Sequence, residues 1–314
     1  GFSLVGQAFV DEVAELGCFG GVVSIVDAGD FEGAATIGLG EAVDGELATL
    51  IAPGFAVDGS DFNENSPVIL YDNMVTASNI AADEADADYP VTNLGNPATF
   101  LEWRGTTTAE QLLTISNAED RYADAIGIAR HNFGSAQIQI SVEGNTGLGW
   151  SEIVTPVMLT SDGPRLLRFA KDVYTGLRLR MKTGTAAPRL SVIYAGEALL
   201  LPRRIYVGHT PITLGRSRKV ITGRSESGNF MGRVITGGQS ATGVSLQNLM
   251  PEWYRRKFDP FVLSAETLPF FFSWRPDRYP LEVGYAWLTG DPMPKNQRTN
   301  GMMQVDLQMV GIIE

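Results

Sequence analysis

The sequence predicts a mainly β protein, made of an antiparallel β-sandwich and a following antiparallel β domain with one helix. Polar and apolar residues alternate in several segments, and glycine or proline separates these segments at short intervals. A long helical pattern of apolar residues occurs once, between residues 246 and 264. The chain of 314 residues is 44% hydrophobic and 19% charged, so it holds enough apolar material for a sizeable core.

The first region, residues 1–70, is rich in glycine, alanine and aspartate. Short apolar segments, such as residues 22–26 and 34–37, lie between glycines. Runs of four to six residues with glycine at both ends are typical of short strands joined by turns. The sequence therefore predicts a small β domain or an extended arm here, and it shows no family motif.

The second region, residues 71–200, carries the clearest strand signals. Residues 137–143 and 177–182 alternate between polar and apolar side chains at every step, which places one face on a core and the other in water. Turn residues separate the segments at the spacing of a sandwich. Further strands are expected at residues 98–103, 110–116, 124–129, 150–154 and 189–195.

The third region, residues 201–314, combines strands with the single helix. Residues 219–223 recur in similar form as residues 233–237, and two matching strands joined by a turn favour a β-hairpin or meander. Helical spacing predicts a helix within residues 246–264, with Pro251 in its first turn. Strands are expected at residues 268–274, 283–288 and 303–310.

Charge divides the chain unevenly. The net charge is −12, from 36 acidic and 24 basic residues. Residues 1–102 hold 18 acids and no Lys or Arg, so they carry −18, whereas residues 103–314 hold 18 acids and 24 bases and carry +6. Such an asymmetry indicates a surface matched to a nucleic acid, a cation or another subunit.

The residue types give little support to catalysis. His131 and His209 are the only histidines, and the chain has no Gly-x-Ser-x-Gly motif. We expect a structural hydrogen bond for His131 and a turn position for His209, and therefore no enzyme. The phosphate-binding glycine motifs are also missing, so no cofactor is expected. Cys18, the single cysteine, forms neither a disulfide within the chain nor a zinc site.

The densest acidic cluster lies at residues 83–88 and contains Asp83, Asp86 and Asp88. It lacks the regularly spaced ligands and the glycine of a helix-loop-helix calcium motif, so that motif is excluded. A solvated loop is the favoured interpretation, so no metal is assigned, and a loop calcium site is the alternative. No apolar run approaches the ~20 residues of a membrane-spanning helix, and residues 1–10 lack the features of a signal peptide.

The third region begins with a basic stretch. Clustered bases can neutralise phosphates, but the whole chain is acidic, with an isoelectric point near 4.7, so contact with a neighbouring subunit is favoured over nucleic acid. The aromatic residues 270–274 could pack in a core, form an interface or stack on a sugar. The predicted assembly interface comprises Arg203, Arg204, Arg216, Arg218, Lys219, Arg224, Phe271 and Trp274.

The second region resembles the discoidin or galactose-binding-like jelly-roll modules, in particular those of tail proteins of bacteriophages and prophages. The resemblance implies a jelly-roll β-sandwich, and modules of this kind bind sugars, lipids, proteins or nothing. No sugar-binding triad can be carried over from it. The segments that carry the resemblance are Ala77-Ser78-Asn79, Tyr89 to Leu94, Ala98 to Trp103, Ile126 to Asn132, Gly149 to Glu152 and Tyr174 to Leu179.

The third region resembles structural proteins of the phage tail tip or baseplate, through Phe271 to Pro276 and Asn300 to Val305. That resemblance implies a virion protein that assembles as an oligomeric ring with copies of itself and other tail proteins. The alternative is a carbohydrate-binding protein that recognises a host surface glycan through loops near residues 83–88 and 145–150. The sugar-contacting residues predicted for it are Asp83, Asp86, Asp88, Asn145 and Trp150.

Overall fold

The computed structural model describes residues 2–4, 35–37, 66–205, 208–297, 299 and 301–312, with only the backbone at 2–4, 35–37 and 118–120. The chain divides into two compact units, Gly1–Asn63 and Glu64–Glu314. In the first, strands β1 (Phe2–Leu4) and β2 (Ala35–Ile37) pair antiparallel. The strand expected at residues 22–26 and the single cysteine lie outside the described residues.

The second unit is built almost entirely from antiparallel strands, which confirms the predicted mainly β class. A 3₁₀ helix spans Val91–Gly95. Helix α1 consists of Pro251–Trp253, a π-helical segment Tyr254–Phe258, and Asp259–Ala265. The strands are β3 (Val68–Leu70), β4 (Ile80–Ala82), β5 (Trp103–Arg104), β6 (Gln111–His131), β7 (Gln139–Asn145), β8 (Trp150–Met158), β9 (Arg165–Met181), β10 (Arg189–Gly196), β11 (Leu199–Leu200), β12 (Arg216–Arg224), β13 (Phe230–Leu249), β14 (Phe270–Ser273), β15 (Val283–Leu288), β16 (Lys295–Asn296) and β17 (Met303–Ile312).

Two long strands, β6 and β9, build the jelly-roll sandwich. The strand order is β5-β10-β6-β9-β7-β8, with β4 beside β6. The first half of β6 pairs with β4 and with the end of β9, whereas its second half pairs with β10 and with the start of β9. Register shifts interrupt the β6–β9 pairing between these halves, and such irregularities bend strands. Each strand therefore serves both layers, and apolar side chains such as Trp103, Ile126 and Leu179 fill the core between them.

The eight-stranded sheet of the C-terminal part is covered on both faces at its centre. Its order is β11-β3-β14-β15-β17-β13-β12, with β16 beside β17. Phe258 and Phe261 of α1 pack on one face against Phe270 and Phe272. The other face packs Phe271 against β6 and β10 of the sandwich. This double coverage explains why consecutive aromatic residues in β14 are all buried.

A buried ion pair lies within the sandwich, next to residues that pack against the C-terminal sheet. Arg168 of β9 forms an ion pair with Asp124 of β6 at 2.9 Å, and both side chains are less than a tenth exposed. Asp124 also accepts a hydrogen bond from the Ala198 backbone N–H at 2.7 Å. Burial raises the pKa of Asp124, and the nearby Arg168 guanidinium opposes that rise. Arg165, also of β9, donates to the Pro280 carbonyl at 3.0 Å and so links the sandwich to the C-terminal part.

Two details of the sequence prediction are wrong. The strand expected at residues 98–103 is a loop up to residue 102, because Asn96 Oδ1 accepts from the Ala98 N–H and Asn93 donates to the Glu102 carbonyl. Leu246 to Leu249, included in the predicted helix, continue β13 instead, where Leu246 pairs with Val305 of β17. The helix begins at Pro251, whose missing N–H is tolerated in a first turn.

The hairpin expected from the internal repeat is formed by β12 and β13, with Ile221 opposite Val234 and Val220 opposite Ile235. Its side chains are almost all exposed from Arg216 to Gln239. Among the described residues, no helix has the length and apolar character needed to cross a membrane.

A candidate binding cleft at one end of the sandwich

A cleft of about 320 Å³ opens at one end of the sandwich, where loops join its two layers. Four of its lining side chains can form hydrogen bonds, and small apolar residues make up most of the rest. A surface of this mixed character suits a small polar ligand. The lining residues are Arg104, Gly105, Asn132, Ser135, Ala136, Ala186, Ala187, Pro188 and Arg189.

Arg104 is held in place from two sides. Its guanidinium lies 3.6 Å from the centre of the Tyr89 ring, and its Nε donates to a Glu102 carboxylate oxygen at 2.7 Å. The hydrogen bond from Arg104 to Glu102 raises the pKa of Arg104 above its ordinary value. The stack and the ion pair together fix the direction in which this cation points.

Arg189 faces Arg104 across the β5–β10 pair, where the two residues are direct antiparallel partners. Its side chain is exposed, and within the described part of the chain it has no ion-pair partner. Two like charges placed opposite each other in a sheet repel. Arg104 and Arg189 are the only charged residues among those that line the cleft, and Glu102 pairs with Arg104 alone.

The remaining polar groups stiffen the cleft. Asn132 is buried, its amide donates to the Ala187 carbonyl at 2.9 Å, and its Oδ1 accepts from the Arg189 backbone N–H at 2.9 Å. The Ser135 backbone N–H donates to Asp162 Oδ1 at 2.9 Å, which ties the opposite wall to a second loop. These bonds hold the loops in one geometry, so a ligand would meet a preformed surface.

The acidic loop predicted from the sequence lies beside this cleft. The Asp86 N–H donates to the Arg104 carbonyl at 2.9 Å, and Asp86 forms a bridge with Tyr89. Asp86 Oδ1 accepts from the Asp88 N–H, and Asp83 Oδ2 accepts from the Leu112 N–H, each at 2.9 Å. The structure therefore brings Asp86 close to the cleft, where its carboxylate shapes the loop, while the Asp83 carboxylate ties the loop to β6.

Asn145 and Trp150 lie at the end of the sandwich opposite to the cleft and the acidic loop. There Asn145 pairs with Trp150 and with Gly176. Asn145 Oδ1 accepts from the Gly147 and Gly149 N–H groups, which closes the β7–β8 turn. The Arg178 guanidinium lies 3.7 Å from the centre of a Trp150 ring and covers it. The structure does not bring these two residues together with the acidic loop.

The predicted assembly residues fall into two groups. Arg203, Arg204 and the four hairpin cations (Arg216, Arg218, Lys219 and Arg224) are exposed. Phe271 is fully buried between β14 and the sandwich, so it is a core residue of this unit. Trp274 is partly buried, stacks on Tyr279 with 5.3 Å between ring centres, and donates its indole N–H to Glu282.

The two histidines are packed among backbone and aromatic groups. His131 Nδ1 accepts from the Phe133 N–H at 3.2 Å, which leaves Nε2 protonated to donate to the Gly163 carbonyl at 3.1 Å. Burial lowers the pKa of His131 to about 4. His209 lies edge-on to Trp274, with 4.7 Å between ring centres. Across the described ranges, no group of three His, Cys, Asp or Glu side chains could hold a metal ion.

Sequence reasoning missed the cleft residues as a group. Arg104, Asn132 and Arg189 are far apart in the chain, and only the β5–β10 and β6–β10 pairings bring them together. The one signal available was an arginine directly after Trp103, a buried residue whose indole donates to the Glu84 carbonyl and so anchors β5.

Comparisons with solved structures find partial likenesses to carbohydrate-binding modules. A chitosan-binding module from a chitosanase/glucanase of Paenibacillus sp. IK-5 is 9% identical, and the match covers 40% of this chain and 98% of the module with a TM-score of 0.35. The family 32 carbohydrate-binding module of Clostridium perfringens NanJ, in complex with galactose, is 10% identical, with 41% and 98% covered and a TM-score of 0.35. A putative α-L-fucosidase from Bacteroides thetaiotaomicron is 17% identical, with 38% and 27% covered and a TM-score of 0.34.

No protein-family model matches the chain, and no curated protein sequence matches it either.

Proposed function

We propose that the jelly-roll sandwich is a non-catalytic carbohydrate-binding module and that the cleft around Arg104 and Arg189 is its binding surface. The observation that carries the proposal is the pair of guanidinium groups opposed across β5 and β10, only one of which is neutralised. Both flank a floor of small apolar residues held rigid by Asn132. Guanidinium N–H groups donate to sugar hydroxyls, and an apolar floor accommodates the C–H faces of a sugar ring.

The uncompensated charge favours an acidic sugar over a neutral one. A carboxylate can accept two parallel hydrogen bonds from a guanidinium, and this bidentate pair is stronger than bonds between neutral groups. Arg189 is exposed and has no carboxylate partner among the described residues, so its guanidinium N–H groups are available to the carboxylate of a sugar. We therefore expect glycans that contain uronic or other acidic sugars to bind more tightly than neutral glycans of equal length.

Titration calorimetry with matched acidic and neutral oligosaccharides tests this proposal. Arg189→Ala should weaken binding of the acidic ligand by roughly tenfold or more, because a charge-assisted bond contributes about 1.5–3 kcal/mol. The matched control is Arg178→Ala, which removes a half-buried arginine that covers Trp150, far from the cleft, and should leave the affinity unchanged. If the double variant N145A/W150A loses binding and Arg189→Ala does not, the binding site lies at the opposite end of the sandwich. A broad glycan screen without any binding would refute the function itself.

We also propose a second role, as a structural subunit of a phage tail tip that assembles with copies of itself and other tail proteins. The sequence resemblance of the third region suggests the setting, and the projecting β12–β13 hairpin favours assembly because it exposes apolar side chains at Ile221, Phe230 and Val234. Mass spectrometry of purified virions tests this role, and we expect the chain at fixed stoichiometry. A chain that is absent from particles would contradict it.

A further inference from the structure

We propose that the hairpin formed by residues 216–239, here called the hairpin arm, binds a second copy of this chain. The inference deepens the assembly role and rests on it, and it is independent of sugar binding by the cleft. Its partner is defined by chemistry: an acidic surface able to cover apolar side chains and to pair with a strand edge.

The hairpin arm extends beyond the sheet that carries it. β13 pairs with β17 only from Ser240 onwards, and the partner of Ser240 is Gly311, near the end of β17. The nine residues of β12 therefore project by about 30 Å at the usual rise of a strand. Over that length each strand of the arm pairs only with the other, so both outer edges carry unpaired backbone groups in the described structure.

Both faces of the arm expose apolar side chains. The Ile221–Val234 pair and the Val220–Ile235 pair point to opposite faces, because neighbouring residues of a strand alternate. Ile221 is 59% exposed and Val234 is 63% exposed. Phe230 and Met231, near the tip, are 68% and 71% exposed. A two-stranded hairpin without a covered face is marginally stable in water. Burial of these side chains against a partner would stabilise the arm.

The charge of the arm points to the chain itself as the partner. Five cations and one acid give the arm a charge of 5 − 1 = +4, so the rest of the chain carries −12 − 4 = −16. Residues 1–102, with 18 acids and no base, are the most acidic part of that remainder. Within the described residues these cations have no ion-pair partner. The charged residues of the arm are Arg216, Arg218, Lys219, Arg224, Glu226 and Arg233.

Two other roles for the hairpin arm, protection of a sheet edge and binding of nucleic acid, each explain fewer of its features than binding of a second copy does. Lys and Arg on an edge strand can serve to prevent edge-to-edge pairing. A purely protective arm, however, would not also expose Ile221, Phe230 and Val234. Nucleic acid would also neutralise the cations, but it would have to approach a chain with a net charge of −12. A second copy satisfies the cations, the apolar side chains and the open strand edges together.

Sedimentation velocity of the full chain over a range of concentrations tests the proposal. We expect a species heavier than the 33.9 kDa protomer that dissociates on dilution. The charge-reversal variant R216E/R218E/K219E should weaken association by about tenfold or more, since three attractive charges become repulsive towards an acidic partner. The matched control, R255E/R256E/K257E, reverses three exposed cations on α1 and should associate like the unaltered chain.

Carbodiimide cross-linking between isotopically light and heavy chains identifies the contacted surface. We expect Lys219 to link to carboxylates of residues 1–102 in the other isotopic form, and Lys257 to give no such link. A chain that stays monomeric at every concentration would overturn the inference even if it is found in virions, where another tail protein would then cover the arm. Unchanged association of the arm variant would also overturn it. The inference would also be overturned if a monomeric chain bound random-sequence oligonucleotides through the hairpin arm, because the arm would then be a nucleic-acid-binding element.

Discussion

The centre and the end of one sheet differ sharply in what covers them. In β14 every residue is buried, because α1 lies on one face and the sandwich on the other. In β12, eight of nine residues are exposed, and no described element packs on either face. Both segments carry apolar residues in strand-forming sequence. The difference shows that the layers around a strand, rather than its own sequence, decide whether it stabilises the protomer.

The largest effect is expected at the centre. Phe271→Ala should lower the free energy of unfolding by about 3–5 kcal/mol, since it empties a fully buried site between Tyr194 and Tyr285. A β-carbon at Gly127 would lie 2.6 Å from the Phe271 ring, so β6 already approaches this ring as closely as it can. Urea unfolding measures the change. Phe230→Ala in the hairpin arm is the control, and an equal loss in both variants would contradict the comparison.

The next effect concerns the buried ion pair between β6 and β9 of the sandwich. Arg168→Met should cost about 3 kcal/mol at neutral pH, because it leaves the buried Asp124 carboxylate without its cation. The deficit relative to the unaltered chain should shrink as the pH falls, since protonation removes the uncompensated charge and burial already raises the pKa of Asp124. Thermal unfolding at several pH values measures this trend. Asp124→Asn with Arg168→Met should recover part of the loss, and a deficit independent of pH would contradict this account of the ion pair.

A smaller effect on stability depends on pH. The pKa of His131 is about 4 in the folded chain, against 6.5 for the unperturbed side chain. The unfolded state therefore binds more protons between these values, so this contribution to stability is complete above pH 6.5 and is lost as the pH falls towards 4. The loss reaches roughly 3 kcal/mol only at or below pH 4. His131→Gln should have a flatter pH profile than the unaltered chain, and identical slopes would show that His131 does not titrate in this way.

The smallest effect is expected in the hairpin arm. Ile221→Thr with Val234→Thr should change the unfolding free energy of the protomer by no more than about 0.5 kcal/mol, because both side chains are mostly exposed. Chemical unfolding at a protein concentration too low for self-association measures this change in the unfolding free energy of the protomer alone. A loss of several kcal/mol would mean that the arm is covered within the protomer and would remove the contrast with the centre of the sheet.

Much of the fold could be predicted because local patterns and tertiary packing agree. Residues 283–288 were predicted as a strand and form β15 with those bounds. The internal repeat predicted the β12–β13 hairpin. Prediction failed where side-chain contacts override a strand-like pattern, as in the loop fixed by Asn93 and Asn96. Exposure of the hairpin was not predictable, since its pattern does not reveal what packs on it.

The cleft could not be predicted from local sequence at all. Arg104 and Arg189 become neighbours only through strand pairing, and strand order has no local signature. The acidic loop could be recognised because its residues are nearly consecutive, whereas the bond from the Leu112 N–H to Asp83 depends on the fold. Asn145 and Trp150 were sensible candidates by residue type, but register separates them from that loop.

The position of β3 has a consequence for synthesis of the chain. β3 pairs with β11 and β14, and the whole sandwich lies between β3 and β11 in the sequence. A ribosome that adds about 5–20 residues per second needs roughly 10–40 s to pass from β3 to β14. We expect the sandwich to fold during this interval and to bring β3 beside β11. The nascent chain then presents an unfinished apolar strand edge at Val68 to Leu70 until Phe271 emerges, and chaperones that bind such edges would act in that interval.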